Sequence, residues 1–358
     1  MYQNELNALK KAHRFRERQL FDEKLLDFAS NDYLGLAHDK KQLKKAIKLL
    51  ESYDAHAPKA SMLVNGYHPI HQGFERTLAS LNGFESSLVV GSGFLANMAL
   101  IESLVRKRDH LFIDEEYHAS GIMATGLLGN RVSTFKHNDP NDLHQQLKAS
   151  QAERNIVAIE GVYSMSGEVA TKAIFEVANR HNALLIVDEA HSSGVIGESL
   201  LGVFEHHNIT PQSNHIKMGT LGKAYGSYGA YILATDEIIS FLENRGKPII
   251  YSTAPSLFDT ALALVNIEKI ANNPKKFTTK IKKRQAVVAS MTGITLESLI
   301  LPIPVPDNAM TQRLRDALMV KGYLVGAIRQ PTVPKPILRI IPRLGVSTTA
   351  LKSLLNHF

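Results

Sequence analysis

The stretch NIVAIEGVYSMSGEVATKAIFEVANRHNALLIVDEAH, residues 155 to 191, contains two short apolar runs separated by a longer amphipathic one. The runs NIVAIE and ALLIVD are almost wholly apolar, which is typical of strands buried on both faces of a parallel sheet. Between them, TKAIFEVANRHN carries the 3.6-residue period of a helix. The stretch therefore predicts a strand, a crossover helix and a second strand parallel to the first.

The same alternation extends to both sides of this unit. Five more apolar runs are predicted strands, and they read SSLVV, HLFID, RVSTF, HIKMG and GAYILA. The seven runs together predict an α/β fold with a mainly parallel seven-stranded sheet covered by helices. After about residue 256 the pattern changes to two long helical stretches and short strand-like pieces. We expect an N-terminal arm (1–35) packed on a smaller α+β C-terminal domain (256–358), and a large domain (36–255) between them.

Composition limits the classes of function that this chain can have. Its 358 residues include no cysteine, which excludes disulfides, thiolate metal sites and cysteine nucleophiles. The first 20 residues are polar and no apolar run approaches the roughly 18 residues of a membrane helix, so we expect a cytoplasmic protein with no membrane partner. We expect no bound metal.

The formal net charge of +7 suits small anionic ligands as well as nucleic acid. The densest basic run, KKQLKKAIKLL from Lys40 to Leu50, spaces its lysines as on the exposed face of a helix. We therefore expect a surface helix there and no nucleic-acid partner.

Two polar residues follow the apolar run ALLIVD. Asp188 ends it and His191 lies three residues further on, where ligands bind at the carboxyl ends of parallel strands. The letters DEAH also occur in helicase ATPases, which need a phosphate-binding loop of the form GxxxxGK[ST]. Neither Gly-Lys pair of this chain fits that pattern, because Lys217 and Phe241 occupy the required first glycine positions. The ATPase interpretation is therefore rejected.

One lysine lies among glycines and small residues. It is Lys223, in TLGKAYGSYGAYI from Thr220 to Ile232. Together with Asp188 it suggests pyridoxal phosphate, because a lysine amine forms a Schiff base with the aldehyde and a carboxylate keeps the pyridine nitrogen protonated. Considered alone, Lys223 is better explained as a surface lysine in a glycine turn.

Two further segments fit the same cofactor. VVGSGFLANMAL, from Val89 to Leu100, predicts a strand, a glycine-rich turn and a helix whose N-terminus can bind a phosphate. EYHASG, from Glu116 to Gly121, places His118 where a strand gives way to a helix. The imidazole suits either stacking on a flat ring or a place beside the helix N-cap, and both alternatives stay open.

These segments belong to a set of eight that occur in order along most of the chain. They are SNDYLGL (30–36), GSGFLAN (91–97), HAS (118–120), EGVYSMSGEVA (160–170), VDEAHSSGVIG (187–197), GTLGKAYG (219–226), IYST (250–253) and AIRQPTVP (327–334). The set closely resembles the α-oxoamine synthases, which are fold-type-I, pyridoxal-phosphate-dependent transferases that condense an amino acid with an acyl thioester.

The resemblance implies roles for individual residues around the cofactor. Lys223 matches the Schiff-base lysine, Asp188 the carboxylate at the ring nitrogen, His191 the donor to the phenolic oxygen and His118 the stacking imidazole. The phosphate-binding positions match Gly93, Phe94 and Thr220, with Thr253 supplied by a partner subunit, which implies a homodimer with shared active sites. Glu160 and Ser164 line the site, and Ser164 is expected to take part in catalysis.

For the substrates, the resemblance implies that Arg329 pairs with the amino-acid carboxylate. Asn31, Thr332 and Arg14 are expected to bind substrate. The far carboxylate of the acyl chain is expected to meet Arg14, Arg16 or Arg18.

The segment AIRQPTVP is most similar to that of family members that condense L-alanine with a pimeloyl thioester in biotin synthesis. That reaction releases carbon dioxide and free thiol. The acyl group is then carried by coenzyme A or acyl carrier protein. Two alternatives stay open: a family member that uses glycine and a short acyl-CoA, and an aminotransferase.

Overall fold

The computed structural model describes residues 1–358. Twelve strands, β1 to β12 in chain order, span Leu26–Asp27, Ser86–Val90, Asp109–Asp114, Val132–Phe135, Arg154–Glu160, Leu184–Asp188, His215–Thr220, Ala230–Ala234, Leu301–Pro304, Tyr323–Leu324, Gly326–Ile328 and Ile337–Ile340. Fourteen α-helices, α1 to α14, span Gln3–Lys11, Lys40–Glu51, Pro69–Asn82, Gly93–Leu104, Ala119–Thr125, Pro140–Ala149, Lys172–Arg180, Val203–His206, Asp236–Arg245, Lys247–Ile250, Leu257–Ala271, Pro274–Thr292, Asn308–Val320 and Thr348–Leu355.

Seven strands form the central sheet, in the order β2-β8-β7-β6-β5-β3-β4. All of its pairings are parallel except those of β8, which is antiparallel to both β2 and β7. The seven predicted strands and the mainly parallel sheet are therefore confirmed. The reversal at β8 follows the glycine-rich turn after β7, which closes with a hydrogen bond from the Leu221 amide to the Gly229 carbonyl at 2.9 Å.

Both faces of the sheet are covered, as the apolar runs predicted. In β5, Val157 and Ile159 lie in one buried apolar cluster, whereas Ile156 and Ala158 lie in a second cluster on the opposite face. All four side chains are fully buried. Because successive strand residues point to opposite faces, an unbroken apolar run indicates a sheet with helices on both sides.

A smaller sheet forms late in the chain. Its strands are antiparallel in the order β11-β12-β9, and the long helices α11 and α12 precede them. This is the α+β arrangement expected for the C-terminal part of the chain.

The N-terminal segment is attached to this part of the chain. Strand β1 pairs in parallel with β10, matching Leu26 with Tyr323. The buried guanidinium of Arg343 donates hydrogen bonds to Asp27 and to Asp32, both at 2.6 Å. These charged contacts join the N-terminal segment to the part of the chain that follows β12.

The basic run at residues 40 to 50 is the surface helix α2, as predicted. Asp39 caps it by accepting hydrogen bonds from the amides of Lys41 and Gln42, and its lysines are exposed while Ala46 is buried. None of the helices has both the length and the apolar character that crossing a bilayer requires.

Candidate active site

The carboxyl ends of β5, β6 and β7 open into one cavity of about 210 Å³. Its lining includes seven residues that the sequence singled out for the cofactor, namely Gly93, Phe94, His118, Asp188, His191, Thr220 and Lys223. The strand order explains why these residues lie together, because neighbouring parallel strands end at the same edge of a sheet. Lys223 reaches the cavity from the turn after β7.

Lys223 is placed beside a neutral imidazole. Its Nζ lies 2.7 Å from His191 Nε2, and His191 Nδ1 lies 2.6 Å from the hydroxyl of Tyr33. Burial lowers the pKa of Lys223 to about 8, although the Asp188 carboxylate acts in the opposite direction. Burial also lowers the pKa of His191 well below its usual value, and the Lys223 charge adds to that effect. Near neutral pH, a larger fraction of Lys223 is therefore unprotonated than for a lysine in water.

Asp188 is held as a hydrogen-bond acceptor at the end of β6. Its Oδ2 accepts from Asn97 Nδ2 at 3.0 Å, and its Oδ1 accepts from the Ala190 amide at 3.0 Å. Only 5% of the residue is exposed. A buried carboxylate with two donors suits an interaction with a protonated ring nitrogen.

His118 combines a place at a helix N-terminus with access to the cavity, and its stacking on a ring stays a prediction. It is the N-cap of α5, where its ring accepts a hydrogen bond from the Ser120 amide at 3.2 Å, and it also lines the cavity. Burial lowers the pKa of His118, which favours the neutral ring. Because capping fixes the imidazole, its orientation toward the cavity is set before any ligand binds.

The glycine-rich turn after β2 leads into α4, as predicted. Ser92 caps this 12-residue helix by accepting a hydrogen bond from the Leu95 amide. The preceding amides, of Gly93 and Phe94, have no intrahelical acceptor, because the first amides of a helix never do. They lie on the cavity together with Thr220, which gives it an anion-binding end.

These residues fit pyridoxal phosphate on the chemistry of their donors and acceptors. A buried amine, a carboxylate, two neutral imidazoles and a helix N-terminus surround one cavity, and they match an aldehyde, a ring nitrogen, a phenolic oxygen and a phosphate.

Ser164 lies beside this cavity and lines a second, larger one of about 670 Å³ together with Thr332. Its amide donates to Glu160 Oε2 at 2.9 Å, and its carbonyl accepts from Arg339 Nε at 2.8 Å. Asn31 also binds Arg339, whose Nη1 donates to Asn31 Oδ1 at 2.8 Å. Ser164 and Asn31 are thus joined through an arginine that the sequence analysis had not selected.

The other predicted substrate residues lie further away. Arg329 donates to the carbonyls of His13 and Phe15 in the N-terminal arm, and with Arg14 it lines a cavity of about 620 Å³. Thr332 lines this arm cavity as well as the one beside Ser164. Thr253 is exposed and does not line the Lys223 cavity, so its predicted phosphate contact has no counterpart within a single chain.

Arg339, Tyr33 and Asn97 are the functional candidates that sequence reasoning missed. Arg339 is 5% exposed, its Nη2 lies 3.4 Å from the Tyr33 hydroxyl, and its charge contributes to lowering the pKa values of Lys223 and His191. Tyr33 belongs to the segment SNDYLGL and Asn97 to GSGFLAN, two segments that carry the family resemblance, but the sequence assigned neither residue a role.

Known proteins are similar to this chain over most of its length. Residues 23–358 match the family described as aminotransferase class I and II. The chain is similar to the 8-amino-7-oxononanoate synthase of Helicobacter pylori (strain J99), at 46% identity over 358 residues that cover 99% of this chain and 96% of that protein.

Two solved structures are also similar. One is 8-amino-7-oxononanoate synthase from Francisella tularensis, with a TM-score of 0.77 and 25% identity over 94% of this chain and 97% of that one. The other is a serine palmitoyltransferase variant from S. paucimobilis with bound PLP, with a TM-score of 0.88 and 22% identity over 99% of this chain and 95% of that one, a likeness of fold alone.

The chain belongs to the class I and II aminotransferase family, among the 8-amino-7-oxononanoate synthases. Its fold is that of the fold-type-I pyridoxal-phosphate-dependent transferases, and pyridoxal phosphate is its cofactor.

The lowered pKa of Lys223 gives a test in the cofactor-free protein. Acylation of the Lys223 amine, followed by mass spectrometry of its peptide, should reach half of its maximal rate near pH 8. In Asp188→Asn the midpoint should fall further, since Asp188 raises the pKa of Lys223. A midpoint that rises in this variant would contradict the proposed electrostatics.

Proposed function

We propose that this chain condenses L-alanine with a pimeloyl thioester to give 8-amino-7-oxononanoate, carbon dioxide and free thiol, a step of biotin synthesis. The observation that carries the proposal is the Lys223 cavity, in a chain that is 46% identical over nearly its whole length to an enzyme of that name. The two alternative reactions are tested below.

The cavity residues divide the binding of cofactor and substrate among them. Bound pyridoxal phosphate supplies an electron sink for a carbanion at the amino-acid α-carbon. Asp188 would hold its ring nitrogen, and the amides of Gly93 and Phe94 would hold its phosphate together with Thr220. His118 would stack on the ring, and His191 would donate to the phenolic oxygen.

Lys223 has two uses in this mechanism. Its amine would hold the cofactor, and as a neutral Nζ it would take the proton from the α-carbon of the bound amino acid. His191 lies 2.7 Å away and orients that amine. The Ser164 hydroxyl and His191 would stabilise the oxyanion that develops on the thioester carbonyl.

The N-terminal arm is the proposed binding region for the acyl donor. Its cavity carries Arg14, Arg16 and Arg329, with Arg16 Nη2 donating to Thr332 Oγ1 at 2.8 Å. This concentration of positive charge suits the far carboxylate of the pimeloyl chain, for which Arg14, Arg16 or Arg18 is the expected partner. Both coenzyme A and acyl carrier protein are anionic carriers that suit the same charge.

We further propose a homodimer with shared active sites. Thr253 is exposed, and near it Val64 and Tyr251 are 77% and 81% exposed. The Ala254 amide donates to the Ala60 carbonyl at 3.0 Å, which joins the two loops into one surface. An exposed apolar surface beside Thr253 supports a subunit interface through which Thr253 reaches the partner's phosphate site.

The proposed organisation of the chain keeps the division expected from the sequence. Residues 36–255 would form the large domain that contains Lys223, residues 256–358 the small domain, and residues 1–35 an arm. The β1–β10 pairing and the Arg343 contacts support the attachment of the arm to the small domain.

An absorbance titration of the purified holoenzyme tests the function. We expect L-alanine, more than glycine or L-serine, to shift the absorbance band of the bound cofactor, and pimeloyl-CoA then to release free thiol. Lys223→Ala should lack the band. A preference for glycine with a short acyl-CoA would indicate the family member that uses those substrates. Loss of the amino group from the amino acid when no acyl donor is present would favour an aminotransferase.

Two arginines are candidates for binding the amino-acid carboxylate, and substituting each of them distinguishes their roles. The resemblance assigns Arg329, whereas Arg339 binds Asn31 and acts on Lys223. We expect Arg339→Lys to raise the L-alanine concentration for the half-maximal spectral change about 10-fold, because lysine lacks the planar guanidinium fork. Arg329→Lys should chiefly raise the KM for the acyl donor. If instead Arg329→Lys weakened L-alanine binding and Arg339→Lys chiefly raised the KM for the acyl donor, the amino-acid carboxylate would be assigned to Arg329.

A further inference from the structure

Glu160 is a buried acidic residue of the Lys223 cavity whose hydrogen bonding is incomplete. It is the last residue of β5 and is 2% exposed. Its Oε2 accepts from the Ser164 amide at 2.9 Å, whereas its Oε1 is buried without any hydrogen-bond partner. A charged carboxylate oxygen left in that condition would be strongly destabilised.

The register of the sheet places a second carboxyl group next to it. Glu160 on β5 is paired with Asp188 on β6, so their side chains emerge on the same face of the sheet. Two carboxylates that share a site repel each other, and one of them then keeps its proton. Asp188 accepts two hydrogen bonds, from Asn97 and Ala190, and Glu160 accepts only one. The proton therefore belongs on Glu160.

The surrounding charges agree with this assignment. Burial raises the pKa of Glu160 well above its usual value, and the neighbouring Asp188 raises it further, against the opposing effect of Lys223. The effect of burial is the largest of these.

We propose that Glu160 is a further catalytic residue, a neutral carboxylic acid whose Oε1–H donates a hydrogen bond to the ligand bound in the Lys223 cavity. Asp188 is then the one carboxylate charge that the cavity presents to the cofactor ring. Because no second negative charge stabilises the Lys223 ammonium, the lysine is kept closer to its reactive amine form. The inference rests on the proposed cofactor site and not on the identity of the substrates.

Three variants of the holoenzyme test the proposal by absorbance and by equilibrium dialysis of pyridoxal phosphate. Glu160→Gln keeps a neutral donor, so the pH midpoint of the cofactor band and the cofactor Kd should stay near those of the wild type. Glu160→Leu removes the donor, and its Kd should rise on the order of 10-fold. Glu168→Gln, on an exposed side chain eight residues further along, is the matched control and should change neither quantity.

Two results of these measurements would overturn the proposal. If Glu160 were an ionised carboxylate, Glu160→Gln would remove a negative charge beside Lys223 and lower the pH midpoint of the band. If Glu160→Leu bound the cofactor as tightly as the wild type, Oε1 would not contact the ligand.

Infrared spectroscopy gives an independent readout, which decides the protonation state even if Glu160→Leu fails to fold. The holoenzyme spectrum minus that of Glu160→Gln should contain the C=O band of one protonated carboxyl group. Carboxylate bands alone would contradict the proposal. A wild-type protein without any cofactor band would instead contradict the proposed function, so the two failures are distinguishable.

Discussion

The burial of Lys223 is the constraint on which the chemistry of this protein depends. An ammonium removed from water is destabilised relative to the amine, and here that effect lowers the pKa of Lys223 to about 8. The lysine reaches this environment because the turn after β7 folds back against the carboxyl end of β6. The packing of that turn withdraws the amine from water, so the fold itself sets the reactivity of the amine.

A second buried lysine shows why burial alone does not make an active site. Lys217, on β7, is 1% exposed, but its ammonium donates to Asn82 Oδ1 at 2.8 Å and to the Leu201 carbonyl, with Glu189 at 3.7 Å. Those groups satisfy it permanently within the chain. Lys223 instead faces a cavity and contacts one neutral imidazole. It is therefore the lysine that remains free to bond with a ligand.

The local parts of this structure could be predicted from the sequence, and the long-range polar contacts could not. Hydrophobic runs of strand length located all seven strands of the main sheet. The end of one such run located Asp188, and the glycine-rich stretch after β7 located Lys223. Arg339 could not be selected in this way, because its contacts with Ser164 and Asn31 join residues 175 and 308 positions apart. The hydrophobic periodicity of the sequence does not predict such a contact, because it forms only when the arm packs against the C-terminal strands.

The position of Arg329 illustrates the same limit. The segment AIRQPTVP identified Arg329, but the Arg329 guanidinium donates to backbone carbonyls of the arm. The sequence pattern does not specify the path of that arm. The unpaired oxygen of Glu160 is likewise visible only when strand register sets it beside Asp188. The sequence thus located the chemical groups, and the fold determined which of them share a cavity.

Chemical trapping of the cofactor tests the central claim most directly. Borohydride reduction of the holoenzyme makes the bond between the cofactor and its lysine permanent, and peptide mass spectrometry then identifies that lysine. We predict that the label lies on Lys223 and that Lys217, which is buried but already paired, carries none. Label on Lys217, or on any other lysine while Lys223 stays unmodified, would contradict this description of the site.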